Sequence, residues 1–234
     1  MKPKLRIGTR DSALALWQAN FVQKALHKLG VDAELVPVKS EGDIELEKPL
    51  YEMGITGIFT KTLDVALLNE DIDLAVHSMK DVPTRLPDGI VEAAVLKRAS
   101  NKDVLIYKGQ NPMQLHQATI ATGSLRRKAQ WLHRFKAHQV VNLRGNIQTR
   151  LKKLEDQAWN AAIFAEAGLD RANLKPDNHL ILDWMYPAPA QGAMLVVCRK
   201  NQPDVLKLLA QLNHHKTAAC VTAERSFLRH LEGG

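Results

Sequence analysis

From Ser12 to Leu29 the apolar residues Leu14, Trp17, Phe21, Ala25 and Leu29 recur at steps of three and four, which predicts an amphipathic helix stopped by Gly30. Leu5 to Gly8 before it and Ala33 to Val38 after it read as strands, Phe59 to Leu68 as a second helix, and Leu74 to Val76 as a short apolar strand. This β-α-β-α-β succession predicts a parallel, doubly wound sheet. Ser40 to Gly57 is polar, carries Gly42, Pro49, Gly54 and Gly57, and shows no period, the signature of a mobile or functional loop. After Val91 to Leu96 the polar run Lys97 to Asp103 marks a crossing, and a second alternation begins with Val104 to Tyr107, Thr119 to Thr122, Gln139 to Leu143 and Ala161 to Phe164. The stretch Tyr186 to Gly192 is the other break; Ala193 to Cys198 then reads as a buried strand, Pro203 to Leu212 as a helix, and Lys216 to Leu231 as a last helix. The predicted fold class is α/β, with two doubly wound domains. Residues 1–97 and 191–214 form the first and residues 98–190 the second, hinged about a cleft that suits a ligand.

At 234 residues, with 45% hydrophobic and 24% charged content, the chain can bury a substantial core. Cys198 and Cys220 lack metal-ligand spacing and a disulfide framework, and both are expected to be buried structural thiols. No apolar run reaches the roughly 20 residues of a membrane span, and the start M-K-P-K-L-R-I has no signal-peptide core. A reducing cytoplasm and no membrane partner are expected. The net charge of +7 raises a nucleic-acid reading. Aromatics at 5% and arginines gathered at strand-to-helix junctions favour a small polyanion instead. No metal-protease, Walker or dinucleotide motif occurs, so no metal is expected.

The junctions carry the chemistry. Leu5 to Gly8 ends in Thr9-Arg10-Asp11-Ser12. Thr119 to Thr122 runs into Gly123-Ser124-Leu125-Arg126-Arg127, and Gln139 to Leu143 into Arg144-Gly145-Asn146 with Arg150 a turn later. Helix N-termini present free N–H groups, and arginine adds a planar fork for carboxylate oxygens, so the set describes a receptor for several anions. Leu74 to Val76 instead discharges into Ser78, Lys80 and Asp81, placing an acid among cations at a strand's carboxyl end, where α/β sheets bind ligands. The acid could also merely cap a turn before Pro83.

The blocks R-I-G-T-R-D-S-A-L-A-L-W-Q-A, H-S-M-K-D-V-P, G-S-L-R-R, N-L-R-G-N-I-Q-T-R-L, A-Q-G-A and L-N-H-H-K-T-A…V-T-A-E-R…L-E-G-G resemble the porphobilinogen deaminase (hydroxymethylbilane synthase) family, in its order and nearly end to end. The resemblance implies a transferase of tetrapyrrole biosynthesis that joins porphobilinogen units head to tail with loss of ammonia and releases hydroxymethylbilane. It implies growth on a covalent dipyrromethane cofactor, two periplasmic-binding-protein-like domains and a third, smaller α+β domain. Residues 215–234 would be that domain's first helix, the remainder being absent.

By the same resemblance Asp81 is the catalytic aspartate. Arg10, Arg126, Arg127, Arg144, Arg150 and Arg171 hold pyrrole acetates and propionates, and Ser12, Ser78, Lys80, Thr122 and Ser124 add contacts. Porphobilinogen and its oligopyrroles are the expected ligands, and a monomer the expected state. Two departures stand out. Thr56 occupies a loop position where many relatives carry lysine, and the cofactor-anchoring cysteine is expected just past Gly234, so the sequence as written is expected to be inactive or weakly active. A non-catalytic anion-binding module is the competing reading, against which stands the acid Asp81, and a nucleic-acid binder is the third.

Overall fold

The computed structural model describes residues 4–38 and 60–231. They divide into two compact units, residues 4–38, 60–99 and 189–231 in one and 100–188 in the other. The 40–57 loop, with Thr56, and the Gly-Gly end lie outside the described residues.

The first unit is a five-stranded sheet in the order β2-β1-β3-β10-β4. Its strands are β1 (Leu5–Arg10), β2 (Ala33–Val38), β3 (Leu74–Ser78), β4 (Ile90–Val95) and β10 (Met194–Arg199). Side chains alternate across a strand, so each strand feeds two cores. Leu74, Val76, Val196 and Cys198 pack with Ala19, Val22 and Leu26 of helix α1 (Ala13–Lys28). Ala75, Leu195 and Val197 pack on the opposite face with Leu63 and Leu67 of helix α2 (Lys61–Leu68) and with Val221.

The second unit repeats the plan in the order β7-β6-β8-β5-β9. It contains β5 (Asp103–Tyr107), β6 (Thr119–Ala121), β7 (Gln139–Val141), β8 (Ala161–Ala165) and β9 (His179–Ile181). Helix α3 (Leu125–Arg134) covers one face through Trp131, which is fully buried. Helices α4 (Ile147–Asp156) and α5 (Glu166–Ala172) cover the other through Leu154 and Leu169. Strand β9 and helix α5 are additions to the elements read from sequence. Helices α6 (Pro203–Leu209) and α7 (His215–His230) complete the first unit, with α7, the segment expected to open a third domain, seated on its core through Val221.

Two expectations are corrected. The sheets are not wholly parallel: β10 runs antiparallel to both β3 and β4, and β5 antiparallel to both β8 and β9. In each sheet the reversed strand is the one the chain enters on arriving from the other unit, so its start shares an edge with the carboxyl ends of its neighbours. The buried stripe of α1 is also the adjacent one, Ala15, Gln18, Ala19, Val22 and Leu26. The small Ala15 and Ala19 let the helix lie close on the sheet, while Trp17 and Phe21 stay exposed and stack on each other with centroids 5.6 Å apart.

Candidate functional site

Each sheet gathers its chemistry along the edge where the parallel strands end. In the first unit β1 terminates at Arg10, and Ser12 caps α1 by accepting a hydrogen bond from the Ala15 N–H at 3.4 Å. An extended residue with a short hydroxyl suits that position because it satisfies an N–H that the helix leaves free. Strand β3 runs on to Ser78, two residues beyond the predicted end, and passes into a 3-10 turn, Met79–Asp81. Ser78 accepts from the Gln18 amide at 2.9 Å, and Lys80 Nζ donates to Gln191 Oε1 at 3.3 Å. The Asp81 residue is exposed at the end of the turn.

His77 lies beneath this edge, 6% exposed, and its Nε2 has no hydrogen-bond partner among the described residues. Burial, with the positive charge of Arg10 added, pulls its pKa down to about 4, so the imidazole is neutral at physiological pH. His77, Gln18 and Gln191 were not singled out from sequence. His77 and Gln191 fall inside the H-S-M-K-D-V-P and A-Q-G-A blocks, and Gln18 inside the first block, so proximity to those blocks was the available signal.

In the second unit Thr122 Oγ1 accepts from the Ser124 N–H at 3.2 Å, and Ser124 caps α3 by accepting from the Arg127 N–H at 3.4 Å. Asn146 caps α4 in the same way, accepting from the Thr149 N–H at 2.9 Å. Gly123 is dictated by a close approach, since a Cβ there would lie 2.7 Å from the Leu143 carbonyl oxygen. Gly145 adopts φ +110, open to glycine and strained for other residues.

The arginines of this edge are not equivalent. Arg127 is buried; its Nη2 donates to Asp103 Oδ1 at 2.6 Å, its Nε to the same oxygen at 3.1 Å, and its Nη1 to the Ile163 carbonyl at 3.0 Å. Arg126 is a quarter exposed; its Nη2 donates to Asp103 Oδ2 at 2.7 Å and its Nη1 to the Tyr186 carbonyl. Asp103 opens the reversed strand β5, which is why a carboxylate 23 and 24 residues away in sequence meets both. Burial alone would raise its pKa, but the two guanidinium groups outweigh that and hold it below the usual carboxylate value. Arg150 Nε donates to the Gly145 carbonyl at 2.7 Å, and Arg144 is 3% exposed. Arg171, in the last turn of α5, is partly buried, and burial lowers its pKa against the pull of Asp170.

Of the cysteines, Cys198 is buried in β10, where burial pushes its thiol up to about 11. Cys220 corrects the expectation: it is exposed on α7, because the buried stripe of that helix runs through Thr217, Val221 and Arg225. Among the described residues no cluster of three or more His, Cys, Asp or Glu side chains could hold a metal, and no helix is long and apolar enough to cross a membrane.

Residues 5–207 match the sequence profile of the porphobilinogen deaminase dipyrromethane cofactor-binding domain. The porphobilinogen deaminase of Syntrophotalea carbinolica is 45% identical over 236 residues, 98% of this chain and 75% of that protein. That of Desulforamulus reducens is 44% identical over 240 residues, 100% of this chain and 78% of that protein. Among solved structures, an ancestral cationic amino acid solute-binding protein superposes with a TM-score of 0.56 at 14% identity, covering 95% of this chain and 94% of that one. A periplasmic substrate-binding protein of an ABC transporter from Coxiella burnetii gives 0.55 at 16%, covering 94% and 96%. At such identity these two likenesses speak for the fold alone.

Proposed function

The chain belongs to the porphobilinogen deaminase family, transferases of tetrapyrrole biosynthesis that condense porphobilinogen with release of ammonia to give hydroxymethylbilane, and from that premise we propose how its residues divide the work. Asp81 is the catalytic carboxylate. Breaking the C–N bond of the protonated aminomethyl group sends the electron pair out with ammonia and leaves a cationic methylene carbon conjugated to the pyrrole. A site rich in arginine would destabilise that cation, and one carboxylate beside it offsets the repulsion. Asp81 accepts hydrogen bonds from pyrrole N–H groups and stabilises the positive charge until the next α-carbon attacks, after which that carbon's proton is lost, with Asp81 helping to move it, and the pyrrole is restored. The observation that carries this reading is an exposed acid at the carboxyl end of β3, beside Lys80, on a turn held by hydrogen bonds from other elements.

Arg10, Lys80, Arg126, Arg144, Arg150 and Arg171 take the acetate and propionate groups, with Ser12, Ser78, Thr122 and Ser124 assisting. Arg127 has most of its donors committed to Asp103 and Ile163, so its part is to fix Asp103, which in turn orients Arg126. The dipyrromethane of the family bears an acetate and a propionate on each ring, and this donor set has the chemistry to hold such a polyacid at about 1.5–3 kcal/mol per charge-assisted hydrogen bond. When bound, it supplies the free α-carbon at which condensation starts. The protein acts as a monomer in the cytoplasm without nucleic-acid or membrane partners; its two unpaired cysteines support a reducing compartment.

Ammonia release from porphobilinogen tests the central assignment. Asp81→Asn should keep the far-UV spectrum and melting temperature of the parent while ammonia release nearly disappears. Turnover within about tenfold of the parent, a barrier change of only about 1.4 kcal/mol, would remove Asp81 from the reaction.

A further inference from the structure

Arg225 of α7 is 5% exposed; its Nη2 lies 3.6 Å from Glu92 Oε1, and its guanidinium donates to the backbone of the segment that bears Lys80 and Asp81. Nη1 donates to the Val82 carbonyl at 2.9 Å and to the Met79 carbonyl at 3.4 Å, and Nη2 donates to the Pro83 carbonyl at 2.6 Å. These carbonyls lie 142 to 146 residues away in sequence. One turn further along the helix, Arg229 Nη2 reaches the Thr84 carbonyl at 3.4 Å.

The turn is also tied to Gln191 through Lys80 Nζ at 3.3 Å. It is three residues of 3-10 helix, no side chain caps its start, and its internal bond is the Val82 N–H to the Met79 carbonyl at 3.2 Å. Such short turns have poor hydrogen-bond geometry and leave end carbonyls without internal partners. On the upstream side the residue preceding β10 holds it, the Met79 N–H donating to the Ala193 carbonyl at 3.0 Å. On the downstream side Pro83 has no N–H to offer a neighbour, so carbonyl acceptors are the handle there. A planar fork with several donors can grip three carbonyls at once, whereas an ammonium is a single point.

We propose that Arg225 is a positioning residue for the reaction: by clamping the Met79, Val82 and Pro83 carbonyls from α7, it fixes where the Asp81 carboxylate stands. The proposal deepens the role given to Asp81 above and rests on it for its catalytic part, though not for its structural part. Arg225 touches no reacting atom; it acts through the turn.

Backbone hydrogen exchange and turnover together test it. In Arg225→Lys, which keeps the charge and most of the stem, exchange at the Met79 and Val82 amides should quicken by about tenfold while the amides of β1 and β10 stay within about threefold. Ammonia release should fall by about tenfold or more with KM within about threefold, and Arg225→Met should do the same to a greater degree. Combined with Asp81→Asn, Arg225→Lys should slow turnover by no more than about a further twofold, since the clamp works through that carboxylate. Unchanged exchange at Met79 and Val82 would overturn the proposal, as would full additivity in the double variant or a loss of protection spread evenly over both sheets. If Asp81→Asn alone remained active, the catalytic reading would fall, and the exchange result would still decide whether Arg225 orders the turn.

Discussion

The imidazole of His77 sits sealed under the carboxyl edge of β3, and burial, together with the charge of Arg10, pulls its pKa from 6.5 to about 4. In the unfolded chain the ring takes a proton as pH falls through 6.5, while in the folded protein it resists until about 4, so the unfolded state binds more protons across that window. Stability is therefore full above 6.5 and declines as pH drops towards 4. The loss at this one residue is about 3 kcal/mol if the whole shift is expressed. Urea midpoints measured from pH 7 to pH 4 should fall less steeply in His77→Gln than in the parent, and parallel curves would show that His77 titrates normally. Sequence offered His77 only as a letter in a motif; its burial depends on what covers the strand end. The same holds for Arg127, read as a ligand for carboxylates and found wedded to Asp103, and for Cys220, whose exposure follows from the rotation of α7.

Between strands and helices, the junctions were the most legible feature, because a short run of local chemistry specifies them. Ser12, Ser124 and Asn146 cap the helices that follow three arginine-bearing strand ends, a pattern dictated within a few residues of sequence. Strand direction was not legible, since β5 and β10 take their orientation from where the chain has just been. Nor was the buried face of α1: two neighbouring stripes share the helical period, and the one with small residues wins because it packs closer. The β6–α3 junction offers a sharp test. A methyl at Gly123 would meet the backbone oxygen of Leu143 at 2.7 Å, and backbone cannot swing aside as a side chain can. Gly123→Ala should cost about 1–3 kcal/mol in chemical denaturation and weaken porphobilinogen binding, because Ser124 and Arg126 lie directly beyond it. A fully stable variant with parental affinity would mean that the two junctions are free to separate.

The chain leaves the first unit near Ala99 and returns near Pro189, and both passages are stitched to α7. The Ala99 N–H donates to the Gly192 carbonyl at 3.2 Å, Arg98 Nε to the Gln191 carbonyl at 2.8 Å, and the Arg98 N–H to Thr217 Oγ1 at 3.1 Å. The Glu224 carboxylate closes the knot, accepting from both Arg98 Nη atoms at 2.5 and 2.9 Å and from the Ala190 N–H at 2.7 Å. Ala190 holds φ +59, a conformation that alanine adopts only under such external constraint. The proline-rich break and the polar crossing were readable from composition, but their union with Thr217 and Glu224, through bonds spanning 34 to 126 residues, was not, because no local period encodes it. Burial alone would raise the Glu224 pKa, yet Arg98 and the Ala190 N–H hold it below the ordinary carboxylate value of 4.5. The stabilisation is thus present above 4.5 and lost as pH falls through the lower folded value. Glu224→Gln keeps the shape and removes the charge. It should lower stability at pH 7 by about 1–3 kcal/mol, a range discounted for a carboxylate one-third exposed, and its deficit should shrink as pH is taken below 4.5. A deficit that stays constant with pH would show that packing of α7, and not the ion pair, binds the two passages to the helix.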